Sequence, residues 1–488
     1  MLQHDRIPAW LFPPFILGVT LALGGAYWDD ATHTEKGRDS FLIPPHIALY
    51  AGVTLAGAAL VAWALLFARR NGMRAILGQK ALVLALLSVA VTLGAGPVDN
   101  AWHLAFGRDA VLWSPPHVLG AIGSAAVALS ILVELVRSEA SWAIWLRPLA
   151  GGLVLAPFAV LVFEYDTDVP QFDAIWYLPV LTLASSIGLA LVRVVDGRRC
   201  AATGAAAVHL VLLGGISAFL ALKGFDTPKL PLLVVPALAL DLGCRWGLAR
   251  PALALLYSGA LYLAYVPLIN FTGHGVRLDT ADVALGFPLA LASSTAAFAF
   301  ILPRRSERRL ARPAVVAALC LALLQLSAGN ALAHDPGQGK LAGSFDLAAE
   351  VRGHEARVVG RSHLDGPATP RRVVARRAGV EKTAPLRRRG QRLEGRLRLP
   401  QEGRWFVYLE VRHDGKAVES WLPVKVGEAQ KRFVARRRFA YFAERHPATA
   451  VKWGAGAILY ASVLAVLVAV VRLARSASAV RCVQTSSE

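Results

Sequence analysis

Residues 28–46 read WDDATHTEKGRDSFLIPPH, and residues 98–117 read VDNAWHLAFGRDAVLWSPPH. One pattern runs through both. An Asp precedes a His by four residues (Asp29 and His33; Asp99 and His103), a Gly-Arg-Asp comes next, and a Pro-Pro-His opens an apolar run at His46 and His117. Helical residues four apart share a face, so each Asp/His pair can reach a common ion. Imidazole with carboxylate suits copper, zinc, iron or manganese. A single copy reads more simply as a capping Asp and a histidine at a wet interface. Recurrence of the same three side-chain types favours ligands. The candidate metal ligands are therefore Asp29, His33, His46, Asp99, His103 and His117; no residue is assigned a catalytic role.

The prolines fix the depth of these residues. Proline is well placed in the first turn of a helix, where its missing N–H is no loss. Pro44-Pro45 and Pro115-Pro116 thus mark where the next helices start and hold His46 and His117 at a membrane edge. Trp28, Trp102 and Trp113 fall at the same level, where indoles favour the interface. The Gly-Arg-Asp element reads as a turn, with Asp39 and Asp109 as caps or as acceptors for ligand imidazoles.

Outward from these stretches the chain is apolar. Of 488 residues 55% are hydrophobic and 17% charged. Apolar runs of about twenty residues recur, each long enough to cross a bilayer. Candidate spans fall near 9–27, 46–68, 80–97, 117–136, 148–164, 175–194, 205–223, 230–245, 251–270, 283–302, 313–333 and 450–472. The fold class is a polytopic α-helical membrane protein of about 12 spans built from hairpin repeats. A net charge of +19 would ordinarily raise nucleic acid as a partner, but the distribution answers otherwise. The connections at 69–80, 137–147, 193–200, 245–250 and 303–312 hold sixteen Lys/Arg, against about six in the alternate connections among the first ten spans. By the positive-inside rule the basic set is cytoplasmic. Both Asp/His stretches then lie outside. Cys200, Cys244 and Cys482 fall inside and Cys320 within a span, so neither disulfides nor thiolate metal sites belong to the outer face.

The hairpins repeat with loss of ligands. The third outer loop, EYDTDVPQFDAIWYLP, echoes the second, but Val and Leu replace its Pro-His; the fourth, around Asp226, is shorter. The fifth, NFTGHGVRLDTADVALGFP, offers His274, Asp279 and Asp282. Residues 304–333 then join a basic cluster to an apolar run ending Ala331-Leu332-Ala333-His334. That order reads first as an eleventh span and second as an internal export signal. In either case the chain beyond residue 333 is exported.

Residues 334–449 have a soluble character, with 25 Lys/Arg and 13 Asp/Glu. Alternating runs at 344–351, 356–363, 392–399, 404–412 and 417–426 predict strands, with a hairpin turn at His413-Asp414-Gly415. An extracytoplasmic β-sandwich fits. Its Arg387–Arg389 and Arg436–Arg438 clusters read as solvated faces, and His334, His354 and His363 as weaker ligand candidates beside His274. The expected domains are a helical membrane domain (1–333), the sandwich (334–449), and a final span with a cytoplasmic tail (450–488).

Ligand softness narrows the chemistry. Met73 is the only methionine besides the initiator, so a thioether-lined Cu(I) channel is not supported. The first stretch, Asp29-x3-His33-x12-His46, resembles the metal-ligand motif in the membrane C subunit of particulate methane and ammonia monooxygenases. The resemblance implies that Asp29, His33 and His46 bind copper at the outer side of the membrane. The second copy has one more residue before its last His. His334, following Ala-Leu-Ala, resembles the copper-ligating N-terminus of that family's exported B subunit. The Gly403–Val411 stretch resembles small periplasmic copper-associated sandwiches.

Three functions are consistent with these residues: a copper-dependent, monooxygenase-like oxidoreductase, a protein that acquires or passes copper, and an assembly factor. Zinc and iron are the alternative metals. No haem-attachment, flavin or dinucleotide motif is present. The expected setting is the inner or plasma membrane, multi-pass, with both termini cytoplasmic. Expected partners are the lipid bilayer, with a small apolar substrate, a copper chaperone or a second copy of the chain as alternatives, and no nucleic acid.

Overall fold

The computed structural model describes residues 7–35, 42–106, 112–168, 170, 172–272, 276–303, 341–377, 380–427, 431–442 and 449–485. Both Pro-Pro steps are helix starts. Helices α2 (Pro44–Asn71) and α4 (Pro115–Arg137) begin at the first proline of each pair. Each pairs with the helix before it, α1 (Phe12–Glu35) and α3 (Lys80–Phe106) respectively.

The α1/α2 hairpin is packed through glycine. A β-carbon on Gly18 would stand 2.6 Å from the backbone N of Ala56, and one on Gly25 would stand 2.6 Å from that of Leu49. Helices in lipid gain little from apolar burial as such, and small residues let their backbones approach closely. Here that approach runs up to the turn that carries Asp29.

The remaining helices are α5 (Ala143–Ala159), the short α6 (Phe163–Asp166), α7 (Tyr177–Asp196), α8 (Ala201–Leu222), α9 (Val234–Arg245), α10 (Arg250–Thr272), α11 (Thr280–Ile301) and α12 (Thr449–Thr485). Among the described residues, ten helical segments are long and apolar enough to cross a membrane, as expected of a multi-pass membrane protein. The eighth expected span is shorter than foreseen. Residues 225–232 are non-helical, with Pro228 and Pro231 removing two N–H donors, so α9 has only 12 residues. Twelve residues span about 18 Å of a core roughly 30 Å thick. The expected span at 313–333 lies outside the described residues.

The β-domain holds nine strands: β1 (Leu341–Arg352), β2 (Glu355–Ser362), β3 (Thr369–Arg377), β4 (Val380–Pro385), β5 (Arg387–Arg389), β6 (Arg392–Arg398), β7 (Gly403–His413), β8 (Lys416–Val426) and β9 (Lys431–Phe442). They form one antiparallel sheet in the order β4-β3-β7-β8-β9-β1-β2-β6-β5. The sheet folds over so that its halves face each other. A β-carbon on Gly360 of β2 would meet Leu409 of β7, and Gly395 of β6 lies against Val373 of β3. Trp405, Val407, Leu409 and Val411 fill the space between. The Asp414-Gly415 turn joins β7 to β8 with φ of 49° and 75°, the left-handed pair that a two-residue hairpin requires.

The outer face of β3, β7 and β8 carries a second cluster of Val374, Phe406, Tyr408 and Trp421. The Arg438 guanidinium lies 4.1 Å over the Trp421 ring and that of Arg376 lies 4.7 Å over Tyr408. Arg438 is therefore not solvated as its sequence cluster implied; it is 5% exposed. Exposed Arg387–Arg389 fit that expectation. This arginine-rich, aromatic face rests on the loop end of the helical domain.

Candidate metal centre

Asp29 and His33 sit one turn apart near the end of α1, and His46 is the third residue of α2. Asp29 Oδ1 lies 2.9 Å from His46 Nε2 and 3.4 Å from His33 Nε2. One ligand atom from each residue can be chosen so that all lie within 4.8 Å of one another. Donors about 2.0–2.2 Å from a tetrahedral ion stand roughly 3.3–3.6 Å apart; the Asp29–His33 separation falls in that range and the Asp29–His46 separation is shorter, at hydrogen-bond length. The two imidazoles meet edge to face with centroids 5.8 Å apart. His46 is buried, and Asp29 and His33 are partly so.

The second stretch repeats part of this. Asp99 Oδ1 lies 3.1 Å from His117 Nε2, the counterpart of the Asp29–His46 contact. His103 lies in α3, but its side chain is outside the described residues, as are the Gly-Arg-Asp elements of both copies.

Both sets of residues line a single cavity of about 240 Å³. Its polar end is formed by Asp29, Asp30, His33, Thr34, His46, Asp99, His117 and Glu164. Its other walls are mainly apolar, including Val19, Val53, Ala56, Val89 and Leu153, with Thr92 and Ser124 among them. Val19 precedes Asp29 by ten residues on α1, roughly 15 Å along the helix axis, so the apolar part reaches deep into the bundle. Tyr50 of α2 also lines the cavity, with its hydroxyl against Gly96 of α3 where any side chain would collide. It links the hairpin of the first stretch to that of the second.

The β-domain completes the cavity with Phe406 of β7. Ion pairs seat it. Arg377 Nη2 donates to Asp168 Oδ1 at 2.7 Å, and the Arg404 backbone N donates to Asp168 Oδ2 at 2.8 Å. The Arg404 guanidinium pairs with Asp226, which Lys425 approaches at 3.3 Å. Burial pulls the Arg404 guanidinium below its ordinary range, opposed by Glu35, Asp168 and Asp30. Phe406, Tyr50, Glu164, Asp168 and Arg404 were not singled out from sequence. The available signal was charge: an arginine-rich domain beside loops that carry carboxylates.

The weaker candidates do not converge. His354 Nδ1 contacts the Leu399 carbonyl at 2.7 Å, whereas His363 Nε2 contacts Asp346 Oδ2 at 2.9 Å. They flank opposite ends of β2, about 30 Å apart for an extended strand, too far for one ion. His274 and His334 lie outside the described residues. Asp241 of α9 accepts from the N–H of Thr203 at 2.9 Å and from its hydroxyl at 2.8 Å, and so caps α8. His209 is fully buried on α8. Comparison with protein-family models, with characterised proteins and with solved structures gives no match to this chain.

Proposed function

We propose that this chain is a copper-binding membrane protein in which Asp29, His33 and His46 form the centre at the outer face, serving an oxidoreductase reaction on a small apolar molecule. The observation that carries this reading is that the triad opens directly into an apolar cavity. A structural site closes its coordination with protein atoms, whereas three protein ligands leave a position for a reactant. A bound ion would supply Lewis acidity or one-electron chemistry at that position.

The chain's own residues have separate tasks. Asp29 stands within 3.4 Å of both imidazoles and orients them. Val19, Val53, Ala56 and Val89 exclude water and retain an apolar molecule. Asp99 and His117 add a second donor pair to the same cavity. The resemblance of the Asp29–His46 stretch to the monooxygenase C subunit supports copper over zinc or iron. Electron paramagnetic resonance of Cu(II)-loaded protein tests the ligand set: hyperfine coupling to two imidazole nitrogens is expected, with one lost in His46→Ala. A spectrum unchanged in His46→Ala contradicts the assignment.

The position of the cavity beneath the β-domain favours a second reading, copper acquisition and transfer. Transfer of bound copper to an apo acceptor without oxygen consumption would select it.

A further inference from the structure

Among the described residues, Phe406 is the one β-domain side chain that lines the metal cavity. It is held by its own sheet. Its neighbours Trp405 and Val407 point into the sandwich core, and its ring meets Trp421 edge-on with centroids 5.0 Å apart. The ring is 1% exposed.

One of the polar contacts that seat the domain, the Arg404–Asp226 pair, is on the same face of the same strand. Arg404 lies two residues before Phe406, and alternate residues of a strand share a face. Arg377, on the adjacent strand, donates to the Arg404 carbonyl at 2.7 Å as well as to Asp168. The backbone N–H of Asp226 donates to Glu35 Oε1 at 2.6 Å, at the end of the helix that bears Asp29 and His33. Ring and ion pairs are thus one rigid unit clamped to the metal-bearing helix.

We propose that Phe406 gates the water-facing mouth of the cavity, and that the pairing of Arg377 and Arg404 with Asp168 and Asp226 sets how often the gate opens. A hydrated ion or a hydrophilic chelator passes only when the sheet face lifts from the helix ends. That step breaks charge-assisted hydrogen bonds, the stronger class of such bonds. Salt screens the separated charges and so favours the open form. Apolar molecules, which can approach through lipid, are not subject to this gate. The inference rests on the proposed metal centre only in the first of its two tests.

In that test, full-length protein in lipid nanodiscs is loaded with Cu(II) and mixed with EDTA, and loss of copper is timed. Phe406→Ala and, separately, Asp168→Asn are expected to speed the loss roughly tenfold, about 1.4 kcal/mol of barrier, with copper stoichiometry unchanged in Asp168→Asn. Added KCl is expected to speed the wild type more than Asp168→Asn. Equal rates in all three proteins overturn the gate. The second test needs no metal. Thr34 lines the cavity, so Thr34→Cys is placed in a chain whose four native cysteines are replaced by Ser. Reaction with a charged methanethiosulfonate is expected to accelerate when Phe406→Ala or the milder Phe406→Leu is added. An unchanged rate in Phe406→Leu and Asp168→Asn overturns the gate. A chain that takes up no copper refutes the metal centre, and the thiol rates then decide the gate alone.

Discussion

Asp29 on α1 and His46 on α2 stand 2.9 Å apart across a helix contact closed by glycine. The side chains meet because the backbones do. Gly25 lies one turn below Asp29 and touches the backbone of Leu49, which lies three residues beyond His46. The centre is therefore a consequence of helix packing as much as of ligand spacing.

Gly25→Leu is expected to force α1 and α2 apart, costing roughly 1–3 kcal/mol and most of the bound metal. Gly24→Leu is the control, since a β-carbon there meets nothing within 4 Å. Metal content of the two purified variants checks this. Equal retention in both would show that the contact does not form the site.

The two stretches are expected to act on one metal-binding cavity. His33→Ala and His117→Ala should each lower total metal, because Asp29/His33/His46 and Asp99/His117 line the same space. Copper titration of each variant measures the effect. Full wild-type stoichiometry in His117→Ala would reduce the second stretch to a structural relic.

The β-domain offers a pH test away from the centre. The His363 contact and the Arg437 backbone N–H hold the Asp346 carboxyl below its usual range. A carboxyl depressed on folding stabilises the fold above its ordinary range and loses that contribution as pH falls through the depressed value. Both side chains are about two-fifths exposed, so the effect on stability is small. In His363→Ala the Asp346 resonance is expected to titrate at higher pH; an unchanged midpoint would mean that the pair does not persist in solution.

Leu302 and Leu341 lie at opposite ends of the helical bundle. Arg250 and Arg475 hold the carbonyls of residues 300–302 at the end away from the β-domain, whereas β1 belongs to the domain seated on the Asp/His end. Reporter fusions at residue 340 and after residue 480 are expected to report opposite compartments, the first outside. The same compartment for both would contradict this topology.

Local signals carried much of this architecture. Proline at the first helical position needs no tertiary context, so the starts of α2 and α4 were legible, as was the shared face of Asp29 and His33. The Asp414-Gly415 turn and the alternation of β1, β2, β6, β7 and β8 were legible for the same reason. Strands β3 and β9 were not, because TPRRVVARR and KRFVARRRFAYF hide their period behind arginines. Arg376 and Arg438 prove to be buried over aromatic rings, a stabilisation that no hydropathy pattern registers. Phe406 was invisible as a cavity residue since its role depends on how two domains dock. The shortness of α9 was written in Pro228 and Pro231, but the apolar run after them outweighed the prolines.

Elemental analysis of protein purified without added metal, run beside His46→Ala, bears most directly on the Asp29/His33/His46 centre. Near-stoichiometric copper in the wild type and its loss in His46→Ala is the expected result. Equal metal in both proteins, or none in the wild type even after copper is supplied, would contradict it.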